Sequence, residues 1–211
     1  SIRSNIGLYT VTNTDLDTVT NIDLDIVKML VAEHPDLCYK NILHLAFDIN
    51  RMTFEIVLTL IEICPESVQW RDRFGCLPIH LLCRNSGINE MESLKMLQFL
   101  IQEHPDSLRV EDKNGHLPFH YASMAQLSPA FCKLLVDAYP ESVRKSVNQG
   151  CLPIHLLCRN SEINEMASLK LLQFLIQEYP DSLRFEDNNG NLSLHYASQH
   201  QSPEFCKLLV D

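Results

Sequence analysis

The sequence predicts an all-α fold of stacked helix–turn–helix repeats, and three observations predict it. The segment Cys76–Ser86 returns unchanged as Cys151–Ser161, and residues 76–115 and 151–190 agree at 34 of 40 positions. A histidine behind a short apolar or proline-containing stretch recurs at His44, His80, His120, His155 and His195. A second marker, Pro-acid-Ser-apolar-Arg/Gln, recurs at 65–69, 105–109, 140–144 and 180–184, with a degenerate copy at Pro35-Asp36-Leu37. Over the clear copies both markers step by roughly 35 and 40 residues in alternation, the period of a unit that buries its apolar face only against its neighbours.

Each unit reads in the same order. A turn comes first, as Asp72-Arg73-Phe74-Gly75, Asp112-Lys113-Asn114-Gly115 or Asp187-Asn188-Asn189-Gly190; glycine supplies the positive φ that such turns need. A Leu-Pro step follows, and proline suits the first helical position because its missing donor is not needed there. That step predicts a short first helix over 78–84. After a polar connection, Leu94, Leu97, Leu100 and Ile101 share one stripe, with Lys95, Gln98 and Gln102 away from it, which predicts a longer amphipathic second helix. Pro105 ends that helix, because the residue before a proline resists the α conformation.

Applied along the chain, this frame predicts a polar segment at 1–21 and a partial unit at 22–37 that keeps only an outer helix (23–33). Full units follow at 38–71, 72–111, 112–146 and 147–186, with a partial fifth at 187–211. The chain stops at Leu208-Leu209-Val210-Asp211, which matches Leu134-Leu135-Val136-Asp137 partway through a second helix. Repeat arrays normally close with a polar cap, so more chain, or another surface, is expected over this end. Units two and four carry long connections at 86–91 and 161–166, where unit three has only Gln126-Leu127-Ser128-Pro129. Insertions in repeat proteins map to loops on one side; a solvated loop and a contact to a second partner both remain open.

Composition narrows the functional classes. The net charge is −10 with no lysine or arginine block, which lacks the basic footprint of nucleic-acid binders. No apolar run approaches the ~20 residues of a membrane span, so no membrane insertion is expected. Eight cysteines in 211 residues are too dilute for a disulfide scaffold. Several stand inside apolar helical stretches, as in Phe131-Cys132-Lys133-Leu134-Leu135, where a thiol behaves as a small hydrophobe. An intracellular, reducing compartment, cytoplasm or organelle interior, is the expectation.

Leu77-Pro78-Ile79-His80-Leu81-Leu82-Cys83 resembles the Thr-Pro-Leu-His signature of ankyrin repeats, with the Asp-x-x-Gly turn upstream where that family has it. The resemblance covers roughly residues 22–211 and is to a divergent Leu-Pro-x-His variant. It implies an ankyrin-type α-solenoid whose signature histidine bonds the backbone of the neighbouring unit. Leu77, Leu117, Leu152 and Leu192 replace the family's threonine and remove a hydroxyl bond of ~1 kcal/mol. A buried leucine offsets that loss with roughly 1.5–3 kcal/mol. Further departures are Asn41-Ile42-Leu43-His44, which has no proline, and Ser193, which replaces the proline of the last copy.

The resemblance also implies a function: a scaffold or adaptor that grips a partner protein on a concave face lined by turn tips and first-helix ends. Mapped by position, the tips are Arg73, Phe74, Lys113, Asn114, Asn148, Gln149, Asn188 and Asn189. The helix ends are Arg84, Asn85, Met124, Arg159, Asn160, Gln199 and His200. Phe74 and the single tryptophan, Trp70, are the anchors by residue type, although Trp70 packing along its own turn is an equal alternative. No catalytic, cofactor or metal site is expected. Five equivalent histidines do not make one asymmetric active site, and Cys76, His80 and Cys83, repeated at Cys151, His155 and Cys158, fall short of four converging ligands. Two alternatives stay open: a non-catalytic repeat region of a larger enzyme or signalling protein, and a structural subunit of a large assembly.

Overall fold

The computed structural model describes residues 42–48, 52–160 and 165–210. The chain divides into two compact units, Ser1–Leu37 and Cys38–Asp211, and every described residue lies in the second. The expected segment 1–21, the partial unit 22–37 and residues 161–164 of the second long connection lie outside the described residues.

Among the described residues there are ten α-helices and no strand. They form five successive pairs: α1 (Ile42–Phe47) with α2 (Phe54–Ile63), α3 (Pro78–Arg84) with α4 (Glu90–Glu103), α5 (Pro118–Met124) with α6 (Pro129–Ala138), α7 (Pro153–Arg159) with α8 (Glu165–Glu178), and α9 (Ser193–His200) with α10 (Pro203–Leu208). First helices pack on first helices, in the order α1, α3, α5, α7, α9, and second helices pack on second helices in the same order. The core is therefore two adjoining rows of helices with apolar side chains between them.

The two helices of a pair start by different devices. Second helices have polar N-caps: Asn89 accepts from the amides of Met91 and Glu92, Ser128 from Phe131, and Ser202 from Phe205. Such caps satisfy the orphan donors of the first turn. The first helices α3, α5, α7 and α9 have leucine at that position, which offers no side-chain acceptor. The histidine three residues on supplies one instead, its Nδ1 accepting from the leucine amide at 3.0 Å for Leu77, 2.9 Å for Leu117, 3.1 Å for Leu152 and 2.9 Å for Leu192. Leu77, Leu117 and Leu152 are buried and Leu192 is half-buried. The leucine-for-threonine change thus adds apolar burial while the histidine keeps a local bond.

The Pro-acid-Ser-apolar marker does more than end a helix. Each copy is a five-residue 3₁₀ turn, Pro65–Gln69, Pro105–Arg109, Pro140–Arg144 and Pro180–Arg184. In the first two, the serine hydroxyl donates to the carbonyl three residues earlier, at 2.6 Å for Ser67 and Ser107, and the next residue, Val68 or Leu108, is buried. The stripe of α4 also differs from expectation. Its buried centre is Ser93, Met96, Leu97 and Leu100, with Leu94 and Ile101 half-buried, and the same face is buried in α8 as Ser168, Leu171, Leu172 and Leu175.

Between pairs, each turn is tied to the previous one. Lys113 N–H donates to Phe74 O at 3.0 Å, Asn148 N–H to Asn114 O at 3.0 Å, and Asn188 N–H to Gln149 O at 3.2 Å. Gly150 shows why the turn needs glycine: its φ is +79°, and a Cβ there would stand 2.7 Å from the backbone nitrogen of Asn188. No described helix is long and apolar enough to cross a membrane.

Candidate partner-binding surface

Four of the five recurring histidines reach a distant backbone carbonyl. In His80, His120 and His155 the Nδ1 accepts from the leucine amide, so the proton sits on Nε2, which donates to the segment that leads out of the same unit into the next turn. The acceptors are Val110 O for His80 (3.0 Å), Lys145 O for His120 (2.9 Å) and Phe185 O for His155 (3.0 Å); Nε2 of His44 lies 2.9 Å from Cys76 O. Burial lowers the pKa of His80 and of His120 to about 4 and also lowers that of His155. These rings are neutral at pH 7 and have no lone pair left for a metal or a proton transfer.

The cysteines of the same frame are equally committed. Cys83 and Cys158 are buried, and burial raises both thiols far above their usual range, so neither is a thiolate nucleophile. Cys76 lies 3.5 Å from the Tyr121 hydroxyl, which donates to Asp112 Oδ2 at 2.7 Å. Burial works to raise the Asp112 pKa, but the Tyr121 hydroxyl and the amides of His116 and Asn114 outweigh it and hold the carboxyl low. Tyr196 repeats the arrangement on Asp187, held at about 2. The two clusters fasten a turn to its own helix and to the preceding unit.

The expected tip residues are exposed: Arg73, Phe74, Lys113, Asn114, Asn148, Gln149, Asn188 and Asn189. Phe74 is 50% exposed, with the Arg73 guanidinium 4.7 Å from its ring centroid. Part of the row also serves the turn ladder. Lys113 Nζ donates to Arg73 O at 2.7 Å, Asn148 Nδ2 to Lys113 O at 3.3 Å, and Asn188 Nδ2 to Asn148 O at 3.1 Å. Trp70 is half-buried and stands before the tip, at the end of the first 3₁₀ turn, in the frame position of Val110.

At the first-helix ends the expected residues separate into two groups. Arg84, Arg159, Gln199 and His200 are exposed. Asn85 and Asn160 are half-buried and reach back to the preceding unit, Asn85 Nδ2 donating to Phe47 O at 2.8 Å and Asn160 Nδ2 to Met124 O at 2.5 Å. Their amides hold the first-helix row together, a role that residue type and exposure pattern did not announce. Met124 is half-buried, packed on Val147, Cys151 and Leu156. Met124, Arg159 and Asn160, with Leu156, line a hollow of about 200 Å³ between α5 and α7.

One residue that the sequence reading missed belongs here. Gln126 is buried with φ +52°; its Nε2 donates to Asn160 O at 3.2 Å and its Oε1 accepts from Ser168 Oγ at 2.5 Å. Gln201 Nε2 reaches the same Asn160 carbonyl at 2.6 Å from the other side. Both glutamines precede Ser-Pro helix starts, the only sequence signal that marks them. Compared with known proteins, the sequence matches no family model and no curated protein.

Proposed function

We propose that this chain is an ankyrin-type scaffold that binds a partner protein with its turn tips and first-helix ends, without catalysis. The observation that carries the reading is the use of the repeated polar groups. His80, His120 and His155 each bond a carbonyl at the end of their own unit, and Asn85 and Asn160 one of the unit before, leaving the Phe74, Arg73, Arg84 and Arg159 side chains exposed. Exposed aromatic and arginine side chains on a rigid frame are the composition of binding hot spots. Cys76, Cys83, Cys132, Cys151, Cys158 and Cys206 are free thiols, which supports a reducing, intracellular compartment as part of the same proposal.

The test is affinity capture from the native source, comparing the unaltered chain with Phe74→Ala and Arg84→Ala by mass spectrometry. Specific partners are expected to fall away with either change while the circular-dichroism melt is preserved, because both side chains are exposed. Undiminished recovery by both variants counts against the surface.

A further inference from the structure

The two identical segments 76–86 and 151–161 place the same Arg-Asn pair at the ends of α3 and α7, in front of different neighbours. At the first position Arg84 is occupied: its guanidinium bonds the Asp48 carboxylate at 2.8 Å. At the second position the corresponding residue carries no acid. Counted from the signature histidine, Asp48 corresponds to Met124; counted from the carbonyl that takes the asparagine amide, it corresponds to Ala125. Among the described residues no carboxylate pairs with Arg159, and the hollow of about 200 Å³ lined by Met124, Leu156, Arg159 and Asn160 lies beside it.

We propose that this hollow takes an aspartate or glutamate side chain of a partner polypeptide, with an apolar neighbour of that residue against Met124 and Leu156. The molecule supplies the template, since Asp48 already makes this contact one repeat pair earlier. Charge supports it: Arg159 is exposed beside the hollow with no carboxylate paired to it among the described residues. A guanidinium presents a planar fork that matches a carboxylate, and a thioether adapts to varied apolar shapes. The inference rests on the scaffold reading and names the chemistry of its partner.

The experiment uses the 211-residue chain with ¹³C-methyl methionine and two probes, acetyl-Ala-Leu-Asp-Ala-amide and its uncharged isostere acetyl-Ala-Leu-Asn-Ala-amide. The expected result is a saturable shift of the Met124 methyl by the aspartyl peptide, with about fivefold weaker binding of the asparaginyl peptide, the scale of a partly exposed ion pair. R159Q is expected to bring the aspartyl peptide down to the asparaginyl level, while R109Q, at an exposed arginine of a 3₁₀ turn paired with Asp106, leaves it unchanged. Equal binding of the two peptides, or full aspartyl binding by R159Q, overturns the proposal. So does a Met124 shift that tracks protein concentration without peptide, which identifies a second copy as the occupant. If the peptides fail to discriminate while Phe74→Ala still abolishes partner capture, the scaffold reading stands and the carboxylate site falls. If the peptides behave as expected but no captured protein depends on Phe74 or Arg84, the site stands and the wider reading falls.

Discussion

Residues 76–115 and 151–190 are nearly one sequence set between different neighbours, and the structure separates what they share from what they do not. The shared part is bonding to backbone. His80 and His155 each hold a leucine amide and a carbonyl at the end of their own unit, both carbonyl contacts at 3.0 Å, and both asparagines reach a carbonyl of the unit before. The unshared part appears where side chain meets side chain. Arg84 meets Asp48, whereas Arg159 borders the Met124 hollow. Arg144 lies over Tyr179, 5.2 Å from the ring centroid, and Arg109 over Tyr139 at 5.1 Å, but the same frame two pairs before Arg144 holds Gln69 and His104, and there a hollow of about 420 Å³ opens at the seam. Backbone positions repeat with the fold, so bonds to them survive a change of neighbour. Side-chain pairs depend on both partners and vary freely.

The largest test breaks the shared part. His120→Ala removes a ring that is fully buried and strands both the Leu117 amide and the Lys145 carbonyl, so a loss of about 3–5 kcal/mol is expected from cavity and unsatisfied groups together. His195→Ala is expected to cost far less, because that ring is exposed. Urea denaturation of the two variants measures the difference, and equal losses contradict the division drawn above.

Acid attacks the same bonds without mutation. The folded pKa values of His80 and His120 lie near 4, below the usual 6.5, so the unfolded chain binds more protons between these values. The stability these rings supply is complete above pH 6.5 and is lost as the pH falls towards 4, by roughly 3 kcal/mol for each ring. Urea midpoints between pH 7 and pH 4 report the slope, which His120→Ala should reduce.

A smaller effect is expected at the turns. Gly150→Ala forces a side chain into φ +79° and against the Asn188 amide, at a cost of about 2 kcal/mol, read as a lower thermal midpoint. The smallest change sharpens the unshared part. Gln69→Arg with His104→Tyr rebuilds at the first seam the Arg–aromatic contact of the later ones, and a gain of about 0.5–1 kcal/mol is expected from cation–π stacking. A double-mutant cycle checks it, and additive single effects show that the two side chains do not meet.

The local part of this architecture was legible in the sequence. Leu-Pro steps, Asp-x-x-Gly turns and Ser-Pro starts act within a few residues, and the helix over 78–84 lies where they place it. The Pro-acid-Ser marker announces only a helix stop, because a 3₁₀ turn leaves no periodicity of its own in five residues. Long-range partners were not legible: Tyr121 with Cys76, Gln126 with Ser168, and Asn85 with Phe47 are separated by 45, 42 and 38 residues. Of the expected surface residues, Phe74, Arg84 and Arg159 are exposed, whereas Asn85 and Asn160 serve the stack. An asparagine that ends a short helix looks the same in either role.

The ladder of main-chain bonds from Phe74 through Asn114 and Gln149 to Asn188 has a consequence for how such a protein changes over time. Each rung is an amide and a carbonyl that every residue except proline can offer, so the spacing between neighbouring tips is indifferent to which side chains they display. The side chains at the tips can therefore be exchanged one fingertip at a time while the ladder keeps its spacing.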